Sequence, residues 1–342
     1  MKRVDVGIIG LGKMGILHAA LLHQVPMARV TAVCERDQSL WSYGRSLGVK
    51  APFYSDLDLM LQQQPLDAIF VCTPTGTHLS IIRSAWKKSP QLSIFVEKPM
   101  AASLASAAQM AALAKGIRAS TGIGYMLPFK PNFRKLKELI DRRSIGTVER
   151  VSGYIYVTEV MHRRTGWRYD PTLSGGGAVI EIASHLLAVI LWVFGEPSAV
   201  SAQTRPDGTW SEDEASITME YSGGRPVIQI ETSRIKAGFP SISVRLEIAG
   251  SQGEIKAEDE ELFIAGRNSD WHRIDRREFP SSQVFDVGGD AYFLQDSAFI
   301  SSVSDKSEKY AVDWEMGHAV QAVIDSIYQS AKAGSTQHST KI

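Results

Sequence analysis

Val4-Asp5-Val6-Gly7-Ile8-Ile9 runs straight into Gly10-Leu11-Gly12-Lys13-Met14-Gly15, and the reading of this stretch decides the fold. A short apolar run argues a buried strand. A helix pattern follows from Met14 to His23, with Ile16, Leu17, Ala20 and Leu21 expected on one face. A G-x-G-x-x-G run gains meaning only between a strand and a helix, which is where this one lies. Gly10 permits the tight turn, Gly12 lets backbone N–H groups approach a pyrophosphate, and Gly15 lets the helix pack closely on the strand. The helix N-terminus then faces the phosphate charge. Leu11, Lys13 and Met14 are grouped with the three glycines as cofactor contacts.

The second strand, Arg29 to Cys34, leads into Glu35, 20 residues after Gly15 (35 − 15). A carboxylate at that offset accepts from both adenosine-ribose hydroxyls and repels a 2′-phosphate, so Glu35 favours NAD over NADP. Arg36 keeps NADP open, because an arginine can stack on adenine or hold a 2′-phosphate. Further apolar strands, Asp67–Cys72 and Ser93–Val96, alternate with helices at about 56–63, 77–88 and 103–115, the last closed by Gly116. This is the rhythm of a parallel sheet covered on both faces. Ligands of such sheets lie beyond the strand C-termini. Thr73, Pro74 and His78 follow one strand there, and Glu97 and Lys98 follow the next. Thr75 or Thr77 can also cap the helix that follows.

Past Tyr125 the rhythm changes. A helix at 131–142 precedes long alternating runs at 147–157, 215–221, 227–233 and 241–249, with Ser222-Gly223-Gly224-Arg225-Pro226 as hairpin chemistry. Helices return at about 290–302 and 312–333. The expected fold is α/β: a Rossmann dinucleotide-binding domain over residues 1–125, then an α+β domain over 126–342 with a large, mostly antiparallel open sheet. The C-terminal helices are free to pack back on the first domain.

Composition bounds the function. Lys+Arg and Asp+Glu are each 37 in 342 residues, a zero net charge that argues against nucleic-acid binding by counterion release. Cys34 and Cys72 cannot build a disulfide framework and read as reduced, buried thiols. No Cys-x-x-Cys or Cys/His cluster suggests a metal. The chain start has no signal-peptide pattern, and the apolar run Ala178–Phe194 is broken by Glu181, Ser184 and His185, so it reads as a buried helix rather than a membrane span. A cytoplasmic protein is expected.

Glu97-Lys98-Pro99 after a strand, with the glycine run and Val71-Cys72-Thr73-Pro74-Thr75, resembles the glucose–fructose oxidoreductase / inositol dehydrogenase / MocA (Gfo/Idh/MocA) family. Ser174-Gly175-Gly176-Gly177 through Glu181 to His185 is similar to its Gly-Gly-Gly…Asp-x-x-x-His segment. Gly166-Trp167-Arg168-Tyr169-Asp170-Pro171 and Tyr310-Ala311-Val312-Asp313-Trp314-Glu315 are similar too. The resemblance implies an NAD(P)-dependent oxidoreductase acting on a secondary alcohol or ketone of a sugar, cyclitol or sugar derivative. It implies Lys98 as the catalytic lysine and His185 as the motif histidine. Glu181 stands where the family has Asp, and Ala183 where Gly is common. A homodimer or homotetramer through the C-terminal sheet is implied as well, with Ile217, Met219 and Tyr221 as the alternate apolar positions to be covered.

Alcohol oxidation needs a hydride acceptor and a proton acceptor. Lys98 polarising the oxygen and His185 taking the proton is one division of these roles, and the sequence does not apportion them. Glu181 and His185, four apart, can be a substrate-binding catalytic pair, a structural helix contact, or part of a metal site. Trp167 and Arg168, within the basic stretch 161–168, can bind substrate or form a solvated loop with an anchoring tryptophan. Gly175-Gly176-Gly177 can be a hinge or can admit a ligand to the backbone. The competing function is a non-catalytic dinucleotide-sensing regulator of the same fold.

Overall fold

In the computed structural model, residues 3–46, 48–158, 166–206, 211–275 and 290–338 are described. The apolar runs of the first third become β1 (Val4–Ile9), β2 (Ala28–Cys34), β3 (Phe53–Tyr54), β4 (Ala68–Val71), β5 (Ser93–Val96) and β6 (Thr121–Ile123). Between them lie α1 (Lys13–Gln24), α2 (Ser39–Ser46), α3 (Leu57–Gln63), α4 (His78–Lys88) and α5 (Leu104–Ala114). The strands pair in parallel in the order β3-β2-β1-β4-β5-β6. Every residue of β4 and β5 is buried, as both-face coverage requires. Asp56 caps α3 and Ser103 caps α5, each accepting from an amide three residues on. Gly116, with φ +84°, ends the run after α5.

The expected face of α1 is corrected. Leu21 is buried as expected, but so are Gly15, His18, Ala19 and Leu22, whereas Ile16 and Leu17 are half-buried and Ala20 is exposed. A Cβ on Gly15 would lie 1.9 Å from the Gly10 carbonyl oxygen. That contact presses the Gly15 side of the helix onto the turn, and the residues three, four and seven further on follow it inward.

The remaining elements are α6 (Pro131–Asp141), β7 (Val148–Tyr156), α7 (Pro171–Ser174), a π-helical turn Val179–Ala183 leading into α8 (Ser184–Phe194), and β8 (Ala199–Pro206). Then come β9 (Glu212–Glu220), β10 (Val227–Ser233), β11 (Ser243–Gly250), β12 (Gly253–Glu258), β13 (Glu261–Gly266), β14 (His272–Arg273), α9 (Asp290–Ser304), α10 (Trp314–Ala333) and β15 (Gln337–His338). The second sheet has the order β14-β13-β12-β11-β7-β10-β9-β8-β15. Its pairings are antiparallel except β7 with β10, where Val227–Ser233 runs alongside Arg150–Tyr156.

By contacts the chain forms two units, residues 1–126 with 282–318, and residues 127–281 with 319–342. The expected boundary at 125/126 is therefore joined by two further crossings. The cause is apolar burial of C-terminal residues in the first unit. Phe299 of α9 stands edge-on to Phe70 and Phe95, at 5.4 and 5.5 Å between centroids, and those two stack at 4.5 Å. Trp314 packs on Trp86 at 5.0 Å, and its indole N–H donates to the Gly122 carbonyl at 3.2 Å.

In the second unit, Ile217, Met219 and Tyr221 belong to the buried face of the sheet, together with Ile228, Ile230, Leu246 and Ile248. The π turn packs against β7, β9 and β10 on this side. Hence these apolar positions are covered by the chain's own elements, not reserved for another copy. The alternating positions Ser216, Thr218, Gln229 and Glu231 line an open depression on the other face with Tyr154 and Arg245. The stretch Thr172–Phe194 is long and apolar enough to cross a membrane, with mean hydropathy 2.0 over an 18-residue window, but 78% of that window is buried, and α8 is a core helix.

The glycine run before α8 is a packing device. A Cβ on Gly176 would lie 2.1 Å from the Tyr328 hydroxyl, and one on Gly177 would lie 2.1 Å from the Glu212 carbonyl oxygen. Gly177→Ala must push β9 away from the π turn, so a loss of about 2 kcal/mol or more is expected in urea unfolding. Wild-type stability in that variant would contradict this packing.

Candidate active site

At the C-terminal ends of the first sheet, Gly10 joins two strands. Its N–H donates to the Cys34 carbonyl at 2.8 Å, its φ is +90°, and a Cβ would lie 2.9 Å from the Thr73 methyl. Gly12 differs: an added Cβ would meet nothing within 4 Å. The N-terminus of α1 carries no side-chain cap and no acidic residue in its first turn. Its leading N–H groups and positive dipole end therefore face open space in front of Gly12. Glu35 closes the turn from the other side, Oε2 accepting from Leu11 N–H at 2.7 Å and Oε1 from Asp37 N–H at 2.8 Å. A carboxylate fixed this way keeps lone pairs for ribose hydroxyls. The set fits a dinucleotide: an anion-accepting helix end, an approach without Cβ, and an acid at the end of β2. Lys13 and Arg36 are exposed at this rim, and Met14, Thr73 and Pro74 are half-buried. Leu11 contributes through its backbone, since its side chain is buried in the core.

Two expected cofactor contacts have other tasks. His78 is buried, with Nδ1 3.1 Å from the Met100 carbonyl and Nε2 3.0 Å from the Thr73 carbonyl. Burial lowers its pKa, so the neutral ring donates to one of the two carbonyls at a time. It ties the loop after β4 to the loop after β5. Thr77 does not cap α4; its hydroxyl donates to the Pro74 carbonyl at 2.7 Å. Glu97 is turned inward. Its Oε1 accepts from His18 Nε2 at 2.8 Å, and its Oε2 lies 3.2 Å from the Lys98 N–H. Lys98 itself is half-buried at the end of β5.

His18 and Asp296 were not visible as functional residues in the sequence. The Nδ1 of His18 lies 2.9 Å from Asp296 Oδ2, and both side chains are fully buried. Burial by itself pushes the imidazolium pKa down. The charge and hydrogen bond of Asp296, then those of Glu97, outweigh it and hold His18 up at about 10. His18 is thus a buried cation between two carboxylates. Both thiols are pushed upward, Cys34 to about 11, chiefly by burial, so neither is a ready nucleophile.

In the second unit, Glu212 accepts from the N–H groups of Gly177 at 3.1 Å and Val179 at 2.8 Å, and from the Tyr328 hydroxyl at 3.0 Å. A carboxylate from β9 thereby serves the π turn as its N-terminal cap. The Ser184 N–H reaches back to the Val179 carbonyl, a spacing of five (184 − 179). The helix between Glu181 and His185 is therefore not regular α. Such turns recur at functional sites. Glu181 instead meets cations: Arg168 Nε at 3.5 Å and Arg234 at 4.0 Å. Arg234 is fully buried, its Nε donating to Asp213 Oδ1 at 2.6 Å and its terminal nitrogen to Ser211 Oγ at 2.9 Å. No group of three metal-ligating side chains occurs among the described residues. The Arg168 guanidinium lies over the Trp167 ring at 5.0 Å, and His185 is buried. The basic residues His162, Arg163 and Arg164 lie outside the described residues. Arg234 and Glu212 carried no sequence signal, because strand pairing alone brings them to the π turn.

Two outcomes follow from this geometry. Gly12→Ala should hold stability within about 1 kcal/mol and weaken NAD binding at least about tenfold, whereas Gly15→Ala should lose stability. Calorimetric titration and urea unfolding separate the two, and equal effects of both substitutions would contradict the assignment. The stability that His18 contributes is full below its ordinary pKa of about 6.5 and is lost as pH rises through about 10. Unfolding free energy should fall by up to about 1.4 kcal/mol per pH unit in that window, and His18→Gln should remove this component. Parallel pH curves for the two proteins would refute a buried imidazolium.

Known proteins resemble this chain in both units. Residues 4–125 match the family profile described as "Oxidoreductase family, NAD-binding Rossmann fold", and residues 133–256 match "GFO/IDH/MocA C-terminal domain". The chain is 25% identical over 266 residues to the myo-inositol 2-dehydrogenase of Thermotoga maritima, covering 74% of this chain and 75% of that one. It is 24% identical over 332 residues to a D-xylose 1-dehydrogenase (NADP(+)) of Haloferax volcanii, covering 96% and 97%. A levoglucosan dehydrogenase solved with NADH and L-sorbose has the same fold, with a TM-score of 0.91, 20% identity and full coverage of both chains. The chain belongs to the GFO/IDH/MocA family of NAD-binding oxidoreductases.

Proposed function

We propose that this enzyme moves a hydride between NAD and a secondary alcohol, or its ketone, on a sugar, cyclitol or related polyol, in the cytoplasm. The names of the relatives, inositol, xylose and levoglucosan dehydrogenases, support that substrate class. They lend nothing to a non-catalytic sensor. Glu35 at the end of β2 favours NAD, since a 2′-phosphate would meet its charge.

The observation that carries the reading is Lys98 at the end of β5, its amide fixed by the Glu97 carboxylate. A bound NAD+ would supply the acceptor for the hydride of the carbinol carbon. Lys98 donates a hydrogen bond to the reacting oxygen and stabilises charge on it. His185 accepts the hydroxyl proton, so the products are ketone, reduced cofactor and one proton. Glu181, held by Arg168 and Arg234, orients neighbouring substrate hydroxyls rather than exchanging protons. Trp167 and Arg168 flank the substrate.

The test is nicotinamide absorbance with NAD+ or NADP+ against inositols, aldoses, sugar acids and sugar nucleotides. Turnover with a preference for NAD+ is expected, and Lys98→Ala or His185→Ala should lower kcat by about a hundredfold or more. Folded variants that keep full kcat would overturn the assignment.

A further inference from the structure

The buried charges of the first unit form a chain with one end at Lys98. Asp296 of α9 pairs with His18 of α1 at 2.9 Å, and His18 pairs with Glu97 at 2.8 Å. Glu97 Oε2 then meets the Lys98 amide at 3.2 Å. Gly124 leaves room for this arrangement, since a Cβ there would stand 2.7 Å from Glu97 Oε1. The walls are apolar: the His18 ring lies 5.3 Å from both Phe70 and Phe95. The other titratable groups that feel Glu97 are neutral near pH 7. Burial pushes Cys72, Tyr125, Tyr292 and Tyr310 up, and it pushes His78 down. Burial also pushes the Asp296 carboxyl up, against the pull of His18, so His18 and the two acids beside it together set the field at the end of β5. Buried ion arrays are weak stabilisers compared with apolar packing, so stability alone does not account for this one.

We propose that Asp296 and His18 are positioning residues for Lys98: they keep the Glu97 carboxyl group locked onto the Lys98 amide, and so fix both the place and the charge environment of that lysine. The inference rests on reading Lys98 as the lysine that meets the reacting oxygen. Without His18, the Glu97 carboxyl loses the hydrogen bond that aims it at the Lys98 amide and swings away from it. The negative charge then leaves its place beside Lys98, and the lysine ammonium gives up its proton more readily.

The experiment needs no substrate. Wild type, Glu97→Gln, His18→Gln and Asp296→Asn are pulsed with acetic anhydride across pH, and acetylation of Lys98 and of Lys137 in α6 is read by peptide mass spectrometry. Circular dichroism and NAD+ binding establish that each variant is folded, and Asp296→Asn carries the test alone if His18→Gln does not fold. Glu97→Gln and His18→Gln should each speed Lys98 acetylation at pH 7.5 about threefold or more. Asp296→Asn should act in the same direction, the Glu97/His18 double variant should add nothing to either single, and Lys137 should be unchanged. If Glu97→Gln changes Lys98 while His18→Gln and Asp296→Asn leave it as in wild type, the chain is merely structural and the proposal fails. It fails too if Glu97→Gln leaves Lys98 untouched. Absence of turnover in the substrate panel would instead count against the dehydrogenase reading and leave this result standing.

Discussion

The approach of α1 to the turn before it constrains most of the first unit. Only hydrogen fits at residue 15, because a Cβ there would lie 1.9 Å from the Gly10 carbonyl oxygen. That contact chooses which side of α1 faces the sheet, and His18 lies on that side one turn later. The imidazole then gathers two carboxylates that are far away in sequence, Glu97 beside Lys98 and Asp296 on α9. The same glycine turn presents an uncapped helix end and holds Glu35 through the Leu11 amide. Cofactor geometry and the lysine loop thus share one steric origin.

The second unit repeats the logic with different residues. A tight approach at Gly177 lets β9 reach the π turn, and Glu212 of that strand caps it. The extra residue in the turn changes the direction in which Glu181 leaves the helix, toward Arg168 and Arg234. Arg234 continues the buried face of β10 past Ile228, Ile230 and Thr232, so a full charge sits at the end of an apolar row. Asp213 and Ser211 offset its desolvation.

Local pattern carried the fold well. The strands β1, β2, β4 and β5 and their helices were legible because each apolar run is buried on both faces and each is punctuated by glycine or a capping residue. The two-residue β3, the short β6 and β8 were not, since tertiary pairing rather than periodicity creates them. The glycine run, Glu35 and Lys98 were legible as lying at the C-terminal ends of β1, β2 and β5, because their spacing along the chain reflects strand ends. His78 and Glu97 were read as cofactor contacts from that same spacing, yet both point inward, and side-chain direction is set by partners far away in sequence. His18, Asp296, Glu212 and Arg234 stayed hidden for that reason. The outer face of the large sheet was expected to be apolar, but alternation alone does not say which of two faces the chain itself will cover.

The central claim is that a fully charged histidine sits buried between Glu97 and Asp296 at the root of the lysine loop. Long-range 1H–15N spectra of the histidine rings at pH 8 test it most directly, with His18→Gln to assign the resonance. Both ring nitrogens of His18 should carry protons at that pH, while buried His78 should show one protonated and one bare nitrogen. A neutral His18 ring with a bare nitrogen at pH 8 would contradict it.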